Sequence, residues 1–135
     1  MKATYIDYKE TCSFSSAVIR YLEKDPKLQP FISHFPDLSG FRQAVANRKF
    51  QGDRQALAEV LRSQYQQHGA AIHPRVQRSM DLLASENTYT VTTGHQLNIF
   101  TGPLYFIYKI VTAIRLAEEL KAEFPDKECI PVYWM

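Results

Sequence analysis

A strand-like run passes into a long helix through a short turn bounded by glycines, and this arrangement limits the fold more than any other feature. Residues 88–93, TYTVTT, are all β-branched or aromatic, which is typical of a strand. The turn 94–102, GHQLNIFTG, follows, and Pro103 suits the first turn of a helix because proline lacks the N–H that is unpaired there. We predict that this helix continues to about Phe124.

Apolar residues recur along the predicted helix at the spacing of one helical face. They are Ile107, Ile110, Val111, Ile114 and Ala117. Leu104, Phe106 and Tyr108 make the first half of the helix apolar nearly all round, so we expect that half to be buried. Thr101 or Gly102 is the expected cap.

A second strand is predicted after the helix. Pro125 and Asp126 break the helix, and residues 129–134, CIPVYW, have strand composition. Strand, helix and strand form one βαβ unit, which is normally parallel and right-handed. Pro131 cannot donate to a ladder and predicts a bulge or an edge. Because a two-stranded sheet is marginal in water, we expect this chain to be the N-terminal piece of a longer protein.

The part of the chain before the first strand is predicted to be helical. Asp53 is placed to cap one helix, Gly69 to end it, and Pro74 to open the next. No repeat or flexible linker separates this part from the βαβ unit. We therefore predict an α/β fold, with a helical N-terminal section over residues 1–86 and a βαβ unit over residues 87–135.

Charge and cysteine content argue against several classes of function. The formal net charge is +2 and the basic residues are scattered, so no footprint for nucleic acid is present. Cys12 and Cys129 lie far apart, which signals neither metal nor redox chemistry, and Cys129 is interpreted as a small buried apolar residue. No signal peptide is evident, and Lys109 and Arg115 interrupt the long apolar helix. We predict a cytoplasmic protein with no membrane association.

The turn after the first strand is the candidate site. In doubly wound α/β sheets, ligands bind outside the carboxyl ends of the strands, next to the positive end of the following helix. His95 lies within this turn, so it is a candidate for ligand contact. The alternative is a turn histidine that is hydrogen-bonded to the backbone.

The other candidates around the turn also have structural alternatives. Gly94 and Gly102 can be ordinary turn and cap glycines, and their spacing of eight fits neither the dinucleotide fingerprint nor the P-loop. Lys109 reaches a phosphate only if the helix N-terminus lines the pocket, and otherwise snorkels. Tyr105 and Tyr108 are interpreted as core aromatics with a polar tip at the rim.

Four segments together resemble the signature of a known family. They are 93–96 (TGHQ), 101–105 (TGPLY), 108–110 (YKI) and 130–134 (IPVYW), and the family is the bacillithiol biosynthesis cysteine-adding enzymes, BshC. The resemblance is detailed over the last third of the chain and extends to the general layout elsewhere. Asn98 departs from it, since many relatives carry a small residue such as glycine there.

The resemblance implies a fold and a reaction. Members are several-fold longer, with a Rossmann-like nucleotide-binding core and a long coiled coil used for dimerisation. The chain would then hold the first βαβ unit of a Rossmann-like parallel sheet, in a ligase that joins the carboxylate of cysteine to the amine of glucosaminyl-malate. The implied partners are these two substrates and a second copy of the full-length chain. The cofactor stays open, with ATP or another nucleotide as candidates.

We predict the site residues on these grounds. His95 and Gln96 are the expected catalytic residues, and no metal site is expected. The expected residues for binding substrate or nucleotide are Gly94, Asn98, Gly102, Tyr105 and Lys109. Two alternatives stay open: a nucleotidyltransferase-like enzyme of other specificity, and a non-catalytic helical interaction module. In every case we expect the 135 residues alone to be inactive.

Overall fold

The computed structural model of the chain describes residues 3–69, 71–100 and 102–135. The chain forms two compact units, the first ending at Gln51 and the second beginning at Gly52. The predicted division between a helical section and the βαβ unit lies within the second unit, and it stays a prediction about domains.

The first unit is helical, as predicted. It contains α1 (Ser16–Leu22), a 3-10 helix (Pro26–Phe31) and α2 (Leu38–Asn47). The side chains of Ser15 and Asp37 each accept a hydrogen bond from a backbone N–H in the first turn of the helix that follows. Such caps satisfy donors that a helix start otherwise leaves unpaired.

Two further helices open the second unit, and their ends follow the predicted signals. Helix α3 (Arg54–Gln67) is capped by Asp53, and Gly69 follows it with φ of +65°. Helix α4 (Pro74–Leu83) begins with its proline, and His73 accepts a hydrogen bond at the cap. A glycine in the left-handed region after a helix is a common way to end it.

A parallel βαβ unit completes the second unit and confirms the predicted fold class. Strand β1 (Thr88–Gly94) is followed by α5 (Leu104–Glu123) and β2 (Glu128–Trp134). The two strands pair in parallel without interruption, with Val91 opposite Pro131. The predicted bulge at the proline is therefore absent. The edge alternative fits, since β1 is the one partner strand of β2 among the described residues.

The start of α5 differs from the prediction. Pro103 is the N-cap residue and makes no side-chain cap hydrogen bond, so the helix begins one residue later than predicted. Gly102 precedes the cap with φ of +64°, a turn conformation and not a capping one. The other predicted cap, Thr101, lies outside the described residues.

The predicted burial of the first half of α5 is wrong. The face of α5 that packs on the sheet carries Ala113, Ala117 and Leu120. Of the predicted stripe, Ala117 is buried on this face and Ile110 is partly buried, whereas Ile107, Val111 and Ile114 are exposed. A sheet of two strands covers one narrow face of a helix, and these apolar residues stay exposed: Leu104, Tyr105, Ile107, Tyr108, Val111 and Ile114.

The core of the second unit lies where α5 packs against both strands, α4 contacts β1, and α3 packs on α4. Its buried apolar residues are Ala58, Met80, Leu83, Ala113, Ala117, Leu120 and Ile130. Cys129, next to Ile130, is partly buried, and this burial raises the pKa of its thiol. A raised thiol pKa leaves less of the nucleophilic thiolate.

One arginine joins α3 to the start of β1. Arg54 Nη1 donates hydrogen bonds to the carbonyl oxygens of Leu83 at 3.3 Å, Ser85 at 2.8 Å and Thr88 at 3.2 Å. Thr88 is almost fully buried, and its Oγ1 donates to the carbonyl of Leu82 at 2.6 Å. These bonds satisfy carbonyls at the end of α4 and fix the point at which β1 begins.

None of the helices within the described residues is long and apolar enough to cross a membrane.

Candidate functional site

The turn after β1 lies at the carboxyl ends of both strands. The backbone N–H of His95 donates to the carbonyl of Trp134, the last residue of β2, at 3.3 Å. Both strand ends therefore open onto the same turn, and α5 begins a few residues later. This is the position at which parallel α/β sheets hold their ligands.

A compact hydrogen-bond network surrounds the imidazole of His95. Its Nε2 lies 2.6 Å from Tyr105 Oη. Its Nδ1 lies 2.8 Å from the carbonyl oxygen of Gln96 and 2.6 Å from Asn98 Nδ2. Asn98 Nδ2 also donates to the Gln96 carbonyl at 2.8 Å. Four of the seven predicted site residues thus meet around one ring.

Aromatic contacts hold the imidazole from the helix side. The centroids of the His95 and Tyr105 rings lie 5.2 Å apart, and Phe106 approaches His95 edge-on at 6.2 Å. Phe106 in turn packs edge to face against Tyr133 of β2 at 5.3 Å. The position of the network therefore depends on how the first turn of α5 docks on β2.

The two glycines of the turn are required by close neighbours. A Cβ added at Gly94 would lie 2.7 Å from the indole of Trp134, and one added at Gly102 would lie 2.7 Å from Cγ of Asn98. Distances below 3 Å are not tolerated without movement. Each glycine therefore gives space to a side chain beside His95.

Lys109 is turned toward the strand end. Its Nζ donates to the carbonyl of Gly94 at 2.6 Å and is partly buried. The contact links the second turn of α5 to the last residue of β1. It resembles the snorkelling alternative more than a free phosphate ligand, because the ammonium already has a carbonyl partner.

Replacing Lys109 by methionine is expected to loosen the turn. The Gly94 carbonyl would lose a charged donor, which costs on the order of 1–3 kcal/mol for a partly buried acceptor. We expect a lower midpoint of denaturant unfolding for Lys109→Met. The pair of Lys127 with the exposed Asp126 offers the control: Lys127→Met should change stability by less than about 1 kcal/mol. Equal effects of the two variants would contradict a structural role for the Gly94 contact.

The structure also brings in residues that the sequence reasoning missed. Trp134 was treated as a strand residue, yet its indole covers Gly94 and its carbonyl receives the His95 N–H. The position of Trp134 could have been inferred from the sequence, because parallel strands end at the same edge of a sheet and the last residue of β2 must then lie beside the turn. Gln96 was predicted through its side chain, but the group within the network is its backbone carbonyl, and the side chain is exposed.

The donor set of the site suits polar and anionic ligands. An imidazole, a phenol, an amide and an ammonium group converge on the strand ends. Within the part of the chain that the structure describes, no three His, Cys, Asp or Glu residues are grouped in a way that could hold a metal ion. The arrangement can orient a ligand and donate hydrogen bonds to it.

A parallel βαβ unit with this polar turn at its strand ends defines a Rossmann-like domain. The sequence profile of the N-terminal Rossmann-like domain of bacillithiol biosynthesis BshC proteins matches residues 1–135. The chain belongs to this family, as the sequence motifs indicated.

Curated relatives agree with this assignment. A protein of Flavobacterium johnsoniae is 41% identical over the whole chain, one of Flavobacterium psychrophilum is 40% identical over the whole chain, and one of Bacillus cytotoxicus is 35% identical over 85% of it. All three are named BshC, a proposed cysteine ligase. The chain spans 26%, 26% and 21% of their respective lengths.

Proposed function

We propose that this chain is the N-terminal part of a ligase that joins the carboxylate of cysteine to the amine of glucosaminyl-malate in bacillithiol biosynthesis. The observation that carries the proposal is the network around His95, which lies at the carboxyl ends of both strands in a chain of this family. The names of the curated relatives support the ligase class.

In this proposal the residues of the turn have different roles. His95 and Gln96 act in catalysis, with Gln96 contributing at least its carbonyl to the orientation of the imidazole. Tyr105 and Asn98 contact substrate or nucleotide, and they border the same ring. The remaining two glycines and one lysine shape the turn that receives the ligand: Gly94, Gly102 and Lys109.

Amide formation from a free carboxylate needs activation, and a nucleotide is the proposed source. The usual route in nucleotide-binding cores is an acyl-adenylate or acyl-phosphate held in line with the amine. We propose ATP or another nucleotide as the cofactor. The same proposal places the full-length protein in the cytoplasm as a homodimer, with a coiled coil outside the present chain.

An interaction module is the second candidate function. The observation that favours it is the exposed apolar surface on the first half of α5, which includes Leu104, Ile107 and Val111. Exposed apolar patches of this kind often mark contact surfaces. Such a module needs none of the polar contacts around His95, so variants of the turn separate the two functions.

The test is product formation by the full-length protein that carries this chain. Cysteine and glucosaminyl-malate are supplied with ATP, with other nucleoside triphosphates, or without nucleotide, and bacillithiol is measured by mass spectrometry. We expect product with cysteine and at least one nucleotide, and none when His95 is replaced by alanine. A folded full-length protein that forms no product under any of these conditions would contradict the proposed reaction.

A further inference from the structure

Both nitrogens of the His95 ring are already engaged. Nε2 lies 2.6 Å from Tyr105 Oη, and Nδ1 is enclosed by Asn98 Nδ2 and the Gln96 carbonyl. No ring nitrogen is left for a ligand while this network holds. The Tyr105 side chain, by contrast, is about half exposed, at 52% of its full accessible surface. Tyr105 is therefore more open to an approaching ligand than His95, which is partly buried.

The tautomer of His95 decides the direction of that hydroxyl. The Gln96 carbonyl can only accept, so Asn98 presents its amide nitrogen, which can only donate. His95 Nδ1 lies 2.6 Å from that nitrogen and 2.8 Å from the Gln96 carbonyl oxygen, so the ring proton lies on Nε2 if Nδ1 accepts from Asn98, and on Nδ1 if it donates to Gln96. With the proton on Nε2, the ring donates to Tyr105 Oη at 2.6 Å. In that tautomer the hydrogen of Tyr105 points away from the ring.

We propose that the Tyr105 hydroxyl is a hydrogen-bond donor to an anionic oxygen of the ligand, of the carboxylate or phosphate class. His95 and Asn98 are positioning residues, which keep the phenol oxygen occupied as an acceptor so that its hydrogen faces the ligand. The assignment rests on the proposed function for the identity of the ligand. It deepens that function by giving His95 an orienting role in catalysis, and it assigns Asn98 to the support of His95 in place of contact with substrate.

The surroundings of Tyr105 favour an anion over a cation. Tyr105 lies in the first turn of α5, a helix of 20 residues whose cap residue, Pro103, makes no side-chain hydrogen bond to the exposed N–H groups. The positive end of the helix dipole therefore lies in the same turn of α5 as Tyr105. Lys109 adds a cationic group one turn further along the same helix.

The first test reads the ring proton and does not depend on activity. Full-length protein is labelled with ¹⁵N in its histidine rings, and His95→Gln identifies the signal. We expect the neutral ring to carry its proton on Nε2. In Asn98→Ala the donor to Nδ1 is gone, so the proton should shift toward Nδ1, where the Gln96 carbonyl can accept it. A wild-type ring protonated on Nδ1 would overturn the proposal, because Nε2 would then accept the Tyr105 hydrogen.

The second test measures binding of cysteine, glucosaminyl-malate and ATP, each alone, by calorimetry. Loss of one hydrogen bond to a charged group should weaken binding of the anion held by Tyr105 roughly 10- to 100-fold in Tyr105→Phe. Tyr108→Phe makes the same chemical change at an exposed residue one turn along α5, and we expect no change in affinity there. The ligand whose affinity falls identifies the group that Tyr105 binds: the carboxylate of cysteine, a carboxylate of glucosaminyl-malate or a phosphate of ATP.

The two tests separate failure of this assignment from failure of the proposed reaction. Affinities that are equal in wild type, Tyr105→Phe and Tyr108→Phe for all three ligands would overturn the role of the hydroxyl, and so would a wild-type protein that binds none of them. A protein that binds with the expected losses but forms no product would instead contradict the ligase reaction and leave the anion contact standing.

Discussion

Gly102→Ala in the full-length protein is expected to lower product formation roughly 10²-fold, because small displacements of positioned groups cost rates of this size. Gly102 has φ of +64°, which an L residue adopts only with strain, and an added Cβ would lie 2.7 Å from Cγ of Asn98. Asn98 would have to move, and its amide would leave His95. We expect the turnover number to fall, while thermal unfolding shows a change of only a few degrees.

Gly69→Ala is the matched control for this prediction. Gly69 has nearly the same backbone conformation, with φ of +65°, but an added Cβ would meet no atom within 4 Å. Gly69→Ala therefore introduces the backbone strain, about 1–2 kcal/mol, without a steric clash between the added Cβ and a neighbouring side chain. If Gly102→Ala and Gly69→Ala have the same effect on product formation, backbone strain alone explains the loss and Asn98 has no part in it.

Arg54→Ala is expected to cost about 2–4 kcal/mol of unfolding free energy, since it removes one cation from three carbonyl acceptors, two of them partly buried. The lost bonds fix the end of α4 and the start of β1, so we expect the stability of the whole second unit to fall. Denaturant unfolding followed by circular dichroism measures it. We expect a lower midpoint with an unchanged slope.

Arg62→Ala provides the comparison on the same helix. Arg62 pairs with Asp81 at 2.8 Å, and its hydrogen bond lowers the pKa of that carboxyl group. The pair lies at the surface, where such contacts contribute less than about 1 kcal/mol. A loss for Arg54→Ala as small as that for Arg62→Ala would mean that the three carbonyls find other partners.

The elements of the fold could be predicted because their signals are local. A cap such as Asp53, a terminating Gly69 and an opening Pro74 act on the backbone within one helical turn, and each acts in the structure where the sequence placed it. The βαβ unit followed from strand composition on either side of one long helix. Parallel pairing then followed from the length of that connection.

The arrangement of the site could be predicted only in part. The location of the turn at the strand ends is a property of parallel sheets in general, so His95 could be singled out. The contact of its ring with Tyr105 depends on how the first turn of α5 docks on β2, which no local pattern encodes. For the same reason the buried face of α5 was predicted only in part: Ala117 of the predicted stripe is buried, but Ala113 is buried where Ile114 was expected.

Helix α5 is packed unevenly along its length. Ala117 and Leu120 are buried against the sheet near its end, whereas the turn that carries Tyr105 is held by Phe106, by the contact of Tyr105 with His95 and by the bond from Lys109. Local opening costs least where the fewest apolar contacts must break. We therefore expect the first turns of α5 to open locally while the last turns stay packed on the sheet. A ligand bound by Tyr105 would make the start of the helix more rigid, and its release would begin with the opening of these turns.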